Sequence, residues 1–426
     1  MERILEKQPY WVVTIVFCLG LWLNANFQHR IAMAGGQGYD GKTYYAIASQ
    51  LHDDLPVSTR APFVYRLGTP FLASQLPFDI LTNFQIVNAI ATLAGCLLLF
   101  YWLSLFLKKK RTALILTLIL MTHWSFYLRQ IQYSPSTCDP MAFVFVLLLL
   151  IQLNNFIKSK KQLHALIFCC LVFIGVFFRE FLIVFSLGLL FKERPFDKNK
   201  LFFIDFRKLI KGALWFLCSL VLGLLAIVAT HKIGTPSDPY FSFVYALIGW
   251  INDKSIFEYI NGMFNSFGPA VILIFIFWKT TKRYFSEHHE HIVLTVVGLA
   301  ICWFTGGDTE RFFMWFTPLT LIPIGLALEK CLAIENSKII WIPISITTVL
   351  IFRVFWAIPH IDMENPIDHF PIFQASQQNA INLLSYHGKH IVTYFVFVEH
   401  LLIAGYVYFA CRNGLLKDNS NFQKNP

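Results

Sequence analysis

Long apolar runs recur from one end of this chain to the other, separated by short polar stretches, and that recurrence limits the fold more than any other feature. Runs of roughly 17 to 25 apolar residues match the thickness of a hydrocarbon core of about 30 Å when wound as helix. With 56% apolar and only 14% charged residues in 426, the chain lies far from soluble averages. The sequence therefore predicts an all-α polytopic membrane protein of about 12 transmembrane helices, with 10–13 as the range. The runs are Tyr10 to Asn26, Phe84 to Leu107, Thr112 to Leu128, Met141 to Ile157, Leu163 to Phe178, Phe181 to Phe191, Gly212 to Thr230, Phe267 to Trp278, Ile292 to Phe304, Phe312 to Leu328, Ile339 to Ile358 and Ile391 to Cys411. Those near Phe181, Phe267 and Ile292 are the shortest and can also be read as partial spans. Residues 1–426 read as one integral-membrane domain, with no separate soluble domain.

Charge gives this array an orientation. Most of the 35 Lys and Arg residues fall in alternate loops, including the Lys108-Lys109-Lys110-Arg111 run and the 192–211 stretch. Basic residues in short loops prefer the cytoplasm, so both termini are expected there, in a multi-pass arrangement. The net charge of +10 is thereby spread over many loops. Nucleic-acid binding would instead need one basic face with interleaved aromatics. The nine cysteines give no disulfide framework, and Cys138 alone is expected to face outward.

Polar chemistry concentrates in the first outer loop, residues 27–83, and above all in residues 38–73. Asp40 follows Gly35-Gly36-Gln37-Gly38 and precedes Gly41, so backbone can approach a ligand closely beside its carboxylate. Tyr44, Ile47, Ala48 and Leu51 then recur at the spacing of one helix face, which predicts a short interfacial helix. Arg60, Tyr65 and Arg66 follow among Pro62, Gly68 and Pro70. Two readings stand side by side: Asp40 belongs to an active site, or it caps the helix beginning near Lys42.

Further along, Asp139 before Pro140 either caps the next span or supports the same site from the same face. The adjacent Arg179-Glu180 pair interrupts an apolar stretch, where ionisable groups usually mark function or a fixed pairing. Arg179 suits phosphate, since guanidinium holds two oxygens at once and stays charged. The loop at 231–266 reads as partly helical cover over a cavity. His288-His289-Glu290-His291 invites a metal reading, yet consecutive histidines cannot all face one ion from a helix, and no metal ligands are assigned. Gly306-Gly307-Asp308-Thr309-Glu310-Arg311 forms an outer hairpin with Asp308, Glu310 and Arg311 toward the Asp40 compartment, or caps the following span. Pro359-His360 opens the last outer loop, and Glu399-His400 falls inside the final run.

The stretch YDGKTYYAIA, directly after an inside-to-outside span, resembles the Asp-Gly-x-x-Tyr and Ile-Ala pattern in the first outer loop of mannosyltransferase-like members of the GT-C superfamily of integral-membrane glycosyltransferases. YRLGTPFLA, the Cys138-Asp139-Pro140 turn, Arg179-Glu180 and Gly307-Asp308-x-x-Arg311 add to the likeness. The resemblance implies an inverting transferase that takes a sugar from a polyprenyl-phosphate donor on the extracytoplasmic side. Asp40 would be the general base. Arg179 and Arg311, with Arg60 or Arg66, would stabilise the departing lipid phosphate. Tyr44, Asp139, Glu180, Asp308, Glu310 and His360 would support these groups. The acceptor would be a glycan, lipid or protein, in envelope glycan assembly at a membrane such as the bacterial inner membrane. There is no Asp-x-Asp in the first loop and no Asp-Glu doublet, so a divalent metal is not implied, and a large C-terminal soluble domain is absent. From a different class, a transporter or flippase of a lipid-linked or small-molecule substrate would use Arg179-Glu180 and Glu399-His400 as membrane-embedded coupling groups.

Overall fold

The computed structural model describes residues 8–422 apart from 194–195, 198–199, 205, 238–244, 246–247, 250, 253, 305–308, 334–337, 353–356 and 359–390. Asp308 and His360 lie outside the described residues, as does part of the 231–266 loop.

The fold is all-α with two small two-stranded sheets. Six described helices are long and apolar enough to cross a membrane, or seven if one sharply bent pair counts as a span. Among the described residues several of the twelve apolar runs are broken or short as helices, because hydropathy does not register where a helix breaks. The run from Thr112 becomes α5 (Lys110–Met121), which stops at 12 residues before α6 (Tyr127–Tyr133) begins. The Phe181 run winds as the 3-10 helix Glu180–Lys192. The Phe267 run is split: α10 (Ile256–Phe267) ends at Gly268, whose φ of 71° suits glycine, and Pro269 starts a new direction 99° away toward α11 (Ile272–Ile276).

The first apolar helix, α1 (Pro9–Phe27), delivers the chain to the short helix α2 (Gly41–His52), then β1 (Val57–Thr59) and α3 (Gly68–Ser74). The long span α4 (Ile80–Ser104) packs against α7 (Asp139–Ser159), which in turn packs against α8 (Gln162–Val176). After the hairpin β2 (Phe196–Asp197) and β3 (Lys200–Ile204), α9 (Phe206–Ile233) lies along α8 and the 3-10 helix. Its end continues into β4 (Gly234–Pro236), which pairs in parallel with β1, Val57 opposite Gly234, and ties the first loop to that span.

Behind α11 come α12 (Trp278–Glu287), α13 (His289–Phe304) and the central span α14 (Thr309–Cys331). Two further apolar helices follow, α15 (Lys338–Phe352) and α16 (Ile391–Phe422). Within α14, Pro318 has no N–H to give the Met314 carbonyl, and the Thr317 hydroxyl donates to it instead at 2.7 Å. Stacking of Phe181 on Trp315, with centroids 4.2 Å apart, fixes the start of the 3-10 helix against α14. The helices at the periphery keep large apolar side chains on the outside: Trp11, Ile15 and Trp22 on α1, and Leu214, Leu217 and Val221 on α9. A continuous outer apolar surface is what lipid contact requires, whereas a water-facing protein avoids patches of that size.

A candidate active site around Asp40, Asp139 and Arg311

Asp40 stands at the N-cap position of α2, yet its side chain makes no capping hydrogen bond. Its carboxylate turns instead to α14, where Arg311 Nη2 donates to Asp40 Oδ2 at 3.2 Å. Of the two roles open to Asp40 on sequence grounds, capping is not the one its side chain takes.

Glycine makes this approach possible. Gly38 has φ of +80°, and a Cβ there would lie 2.6 Å from Ser134 Oγ. A Cβ on Gly41 would meet the Ser136 carbonyl oxygen at 3.0 Å. The loop before α2 is therefore seated against the 134–136 turn with no room for a side chain. Asn88 of α4 fixes that turn from behind, donating to the carbonyls of Pro135 at 2.7 Å and Thr137 at 3.0 Å. The same turn presents Asp139 at the first position of α7.

Asp139 is the first residue of its helix, whose N-cap is Cys138, and its carboxylate meets the Thr137 hydroxyl and two arginines. It is ion-paired with Arg179 through Oδ1 and lies 3.2 Å from Arg311 Nε through Oδ2. Only 3% of the Asp139 side chain and 2% of Arg179 are exposed, so this is a buried pair, with Arg179 also over the Trp315 ring at 5.1 Å. Asp40 and Arg311 are far more open, at 29% and 28%. Arg311 thus spans two environments, one carboxylate deep and one at the surface.

A second charged unit sits alongside. Arg66 holds Glu180 through a fork, Nε to Oε2 at 2.9 Å and Nη2 to Oε1 at 2.9 Å, while its Nη1 donates to Tyr44 Oη at 3.0 Å. Burial would raise the Glu180 carboxyl, but the guanidinium of Arg66 outweighs it and holds Glu180 below the usual carboxylate range. Burial also lifts the Tyr44 hydroxyl well above its ordinary value, so Tyr44 stays protonated. Arg60 is exposed and stacks over the Phe63 ring at 5.0 Å, the ring that Arg66 also overlies at 5.4 Å. Cys138, expected to face outward, is fully buried, and burial pushes its thiol up to about 12.

Asp40, Tyr44, Asp139, Glu310 and Arg311 line one cavity. Arg66, Arg179 and Glu180 are absent from its lining and meet it only through their partners. Glu310 reaches the cavity from the first turn of α14, with Oε1 accepting from Asn265 Nδ2 at 2.8 Å. Three lining residues went unnoticed in the sequence: Tyr127, Tyr133 and Ser136 bury hydroxyls that have no hydrogen-bond partner among the described residues. Buried hydroxyls are normally satisfied, so these are open positions for a polar ligand. The available signal was a run of Tyr, Gln and Ser between apolar segments at 127–136, a composition out of place in a simple turn.

The acids on the cavity are already engaged, Asp40 and Asp139 by Arg311 and Glu310 by Asn265. Positive charge between the first two comes from guanidinium. Chemically, the arrangement offers a reachable carboxylate, an adjacent cation and a wall of hydroxyl and aromatic groups.

No protein-family model and no curated protein matches this chain. Among solved structures, it is similar to the apo oligosaccharyltransferase of Archaeoglobus fulgidus, with a TM-score of 0.45, 12% identity, and coverage of 96% of this chain and 56% of that one. The oligosaccharyltransferase AglB of Archaeoglobus fulgidus, in complex with an inhibitory peptide and a dolichol-phosphate, gives 0.47, 12%, 98% and 56%. Tethered to an acceptor peptide containing the NVT sequon, it gives 0.45, 13%, 97% and 56%. The chain spans just over half the length of these structures.

Proposed function

We propose that this protein is a membrane glycosyltransferase that moves a sugar, with inversion, from a polyprenyl-phosphate donor to an acceptor on the extracytoplasmic side. The observation that carries the reading is the Asp40 carboxylate, which leaves its own helix uncapped and stands on an aromatic, hydroxyl-lined cavity beside Arg311. As general base, Asp40 takes the proton of the acceptor hydroxyl while that oxygen bonds to the anomeric carbon. The bond from that carbon to the phosphate oxygen breaks, and the lipid phosphate leaves with the electron pair. Arg311, on the cavity and partly exposed, is the cation able to meet that charge. Arg66 and Arg179 act behind it, keeping Tyr44 and Asp139 in place. A positioned base contributes about 100- to 10,000-fold, and charge stabilisation in a preorganised cleft is often the larger effect. The sequence likeness of YDGKTYYAIA to the GT-C first loop points the same way, and the distribution of basic residues over alternate loops supports reading this face as the outer one.

The deciding experiment is transfer of labelled sugar from a polyprenyl-phosphate donor, in membranes holding wild-type protein or Asp40→Asn, with an endogenous acceptor extract. Loss of transfer in the variant at equal expression supports the reading; full turnover by Asp40→Asn overturns it. One observation favours a flippase or transporter, the 99° break at Gly268, since transporters place broken helices at their substrate sites. That reading gains if competent donor and acceptor pools give no transfer with wild-type protein and a labelled lipid-linked sugar crosses the membrane instead.

A further inference from the structure

A second polar cluster lies a full span away from the Asp40 cavity. It sits beside Trp102 and Phe106, past the end of α4 opposite Asn88, and near the corner where α12 gives way to α13. Four consecutive helical residues could not converge on one point, but this segment is not one helix. His288 has φ of −133° and ψ of 68°, so the chain breaks there before α13 resumes. The break turns the His288 ring over the ring of His291, nearly parallel at 12° with centroids 5.1 Å apart.

Three donor groups meet as a result. His288 Nδ1 is 3.2 Å and His291 Nε2 is 3.8 Å from Glu290 Oε1, and the ligand atoms of the three residues all lie within 4.8 Å of one another. A tetrahedral zinc ion with bonds of about 2.0–2.2 Å separates neighbouring ligand atoms by about 3.3 Å; here His288 and Glu290 hydrogen-bond to each other at 3.2 Å and the group spreads to as much as 4.8 Å, so an ion would replace that hydrogen bond and draw the side chains together. His291 and Glu290 expose 1% and 3% of their side chains. His291 Nε2 and Glu290 Oε2 have no hydrogen-bond partner among the described residues, although both are buried. The other nitrogen of His291, Nδ1, is hydrogen-bonded to Tyr284 Oη. When that nitrogen carries the proton, the lone pair stands on Nε2, the arrangement by which a supporting group orients a ligating histidine. Trp102 and Phe106 pack against the His291 ring and wall the cluster with apolar surface.

We propose that His288, Glu290 and His291 bind one divalent transition-metal ion of the zinc class, with water completing its coordination. The imidazole and carboxylate donors suit zinc better than calcium or magnesium, which favour all-oxygen sites. A bound cation would also engage Glu290 Oε2, the carboxylate oxygen that His288 does not reach. The ion clamps the corner between α12 and α13, and the proposal stands independently of the transfer reaction.

The test uses full-length protein in detergent micelles, without a polyhistidine tag, stripped with chelator and dialysed against micromolar Zn²⁺. Elemental analysis should find one zinc per chain in wild type and none beyond background in the His288→Ala/His291→Ala double variant. Tyr284→Phe keeps the ring but removes the orienting hydroxyl, and should weaken zinc binding about 10- to 100-fold. Co²⁺ in place of zinc should give the intense visible bands of a tetrahedral site in wild type and lose them in Glu290→Gln. Substoichiometric zinc in wild type, or unchanged zinc and cobalt signals in Glu290→Gln and Tyr284→Phe, would overturn the assignment.

Discussion

Arg311 Nη2 lies 3.2 Å from Asp40 Oδ2, joining the N-terminus of the short helix α2 to the N-terminus of the long helix α14 across 271 positions of sequence. The same guanidinium is 3.2 Å from Asp139, so one side chain holds two carboxylates on one cavity. Removing it should disturb both. Arg311→Ala is expected to lower kcat/KM for a polyprenyl-phosphate donor about 100- to 1,000-fold, the usual effect of losing one stabilising donor. Arg311→Lys should recover only part, because an ammonium cannot present the planar fork that spans the two acids. Donor kinetics of the two variants, compared at equal folded amount, check this; equal kinetics for alanine and wild type would remove Arg311 from the site.

Arg179 and Asp139 form a pair whose side chains are almost fully out of water. Breaking such a pair leaves a buried charge without its counter-ion, at a cost of about 3–5 kcal/mol. Arg179→Ala should therefore lower the thermal unfolding midpoint of the detergent-solubilised protein clearly. Arg60→Ala, at an exposed position, should leave that midpoint nearly unchanged. A small shift for Arg179→Ala would mean that Arg311 alone compensates Asp139.

Glu180 gives a pH signature. Its carboxyl titrates below the ordinary 4.5 in the folded protein, because Arg66 outweighs the effect of burial. A depressed folded value stabilises the fold above the unfolded titration and loses that contribution as pH falls through the folded one. The gap in unfolding midpoint between wild type and Glu180→Gln should thus be constant from pH 7 to about 5.5 and shrink as pH drops below 4.5. Melting curves across that range provide the measurement, and a gap that widens on acidification would contradict the sign.

Tyr127 separates binding from folding. Its hydroxyl is buried on the cavity with no hydrogen-bond partner among the described residues. Deleting an unsatisfied polar atom should not destabilise the protein, and Tyr127→Phe is expected to melt at or slightly above the wild-type midpoint. If the hydroxyl receives a polar group of the substrate, KM should rise several-fold. Unchanged kinetics would show that the ligand does not reach it.

Gly38 is the steric test. With φ at +80°, and with any Cβ at this position falling 2.6 Å from Ser134 Oγ, the loop leaves no room for alanine. Gly38→Ala should cost about 1–2 kcal/mol from the left-handed backbone alone, and should displace Asp40. Transfer activity should fall far more than global stability, read by comparing turnover with the melting midpoint.

Composition and periodicity were enough to determine helical, lipid-exposed elements, because 18-residue apolar segments carry their own signal wherever they lie. The short helix beginning at Gly41 was equally legible, since Tyr44, Ile47 and Ala48 mark its buried face locally. The breaks were not: Gly268 divides one apolar run and the helix from Lys110 stops at Met121, and hydropathy averages over both. Nor could sequence decide whether Asp40 and Asp139 cap their helices, since capping and catalysis favour the same residue at the same position. Only the tertiary structure brings Arg311 to both carboxylates and turns them away from their own helices. That outcome depends on contacts between residues hundreds of positions apart, and no local pattern in the chain encodes a distance of that kind.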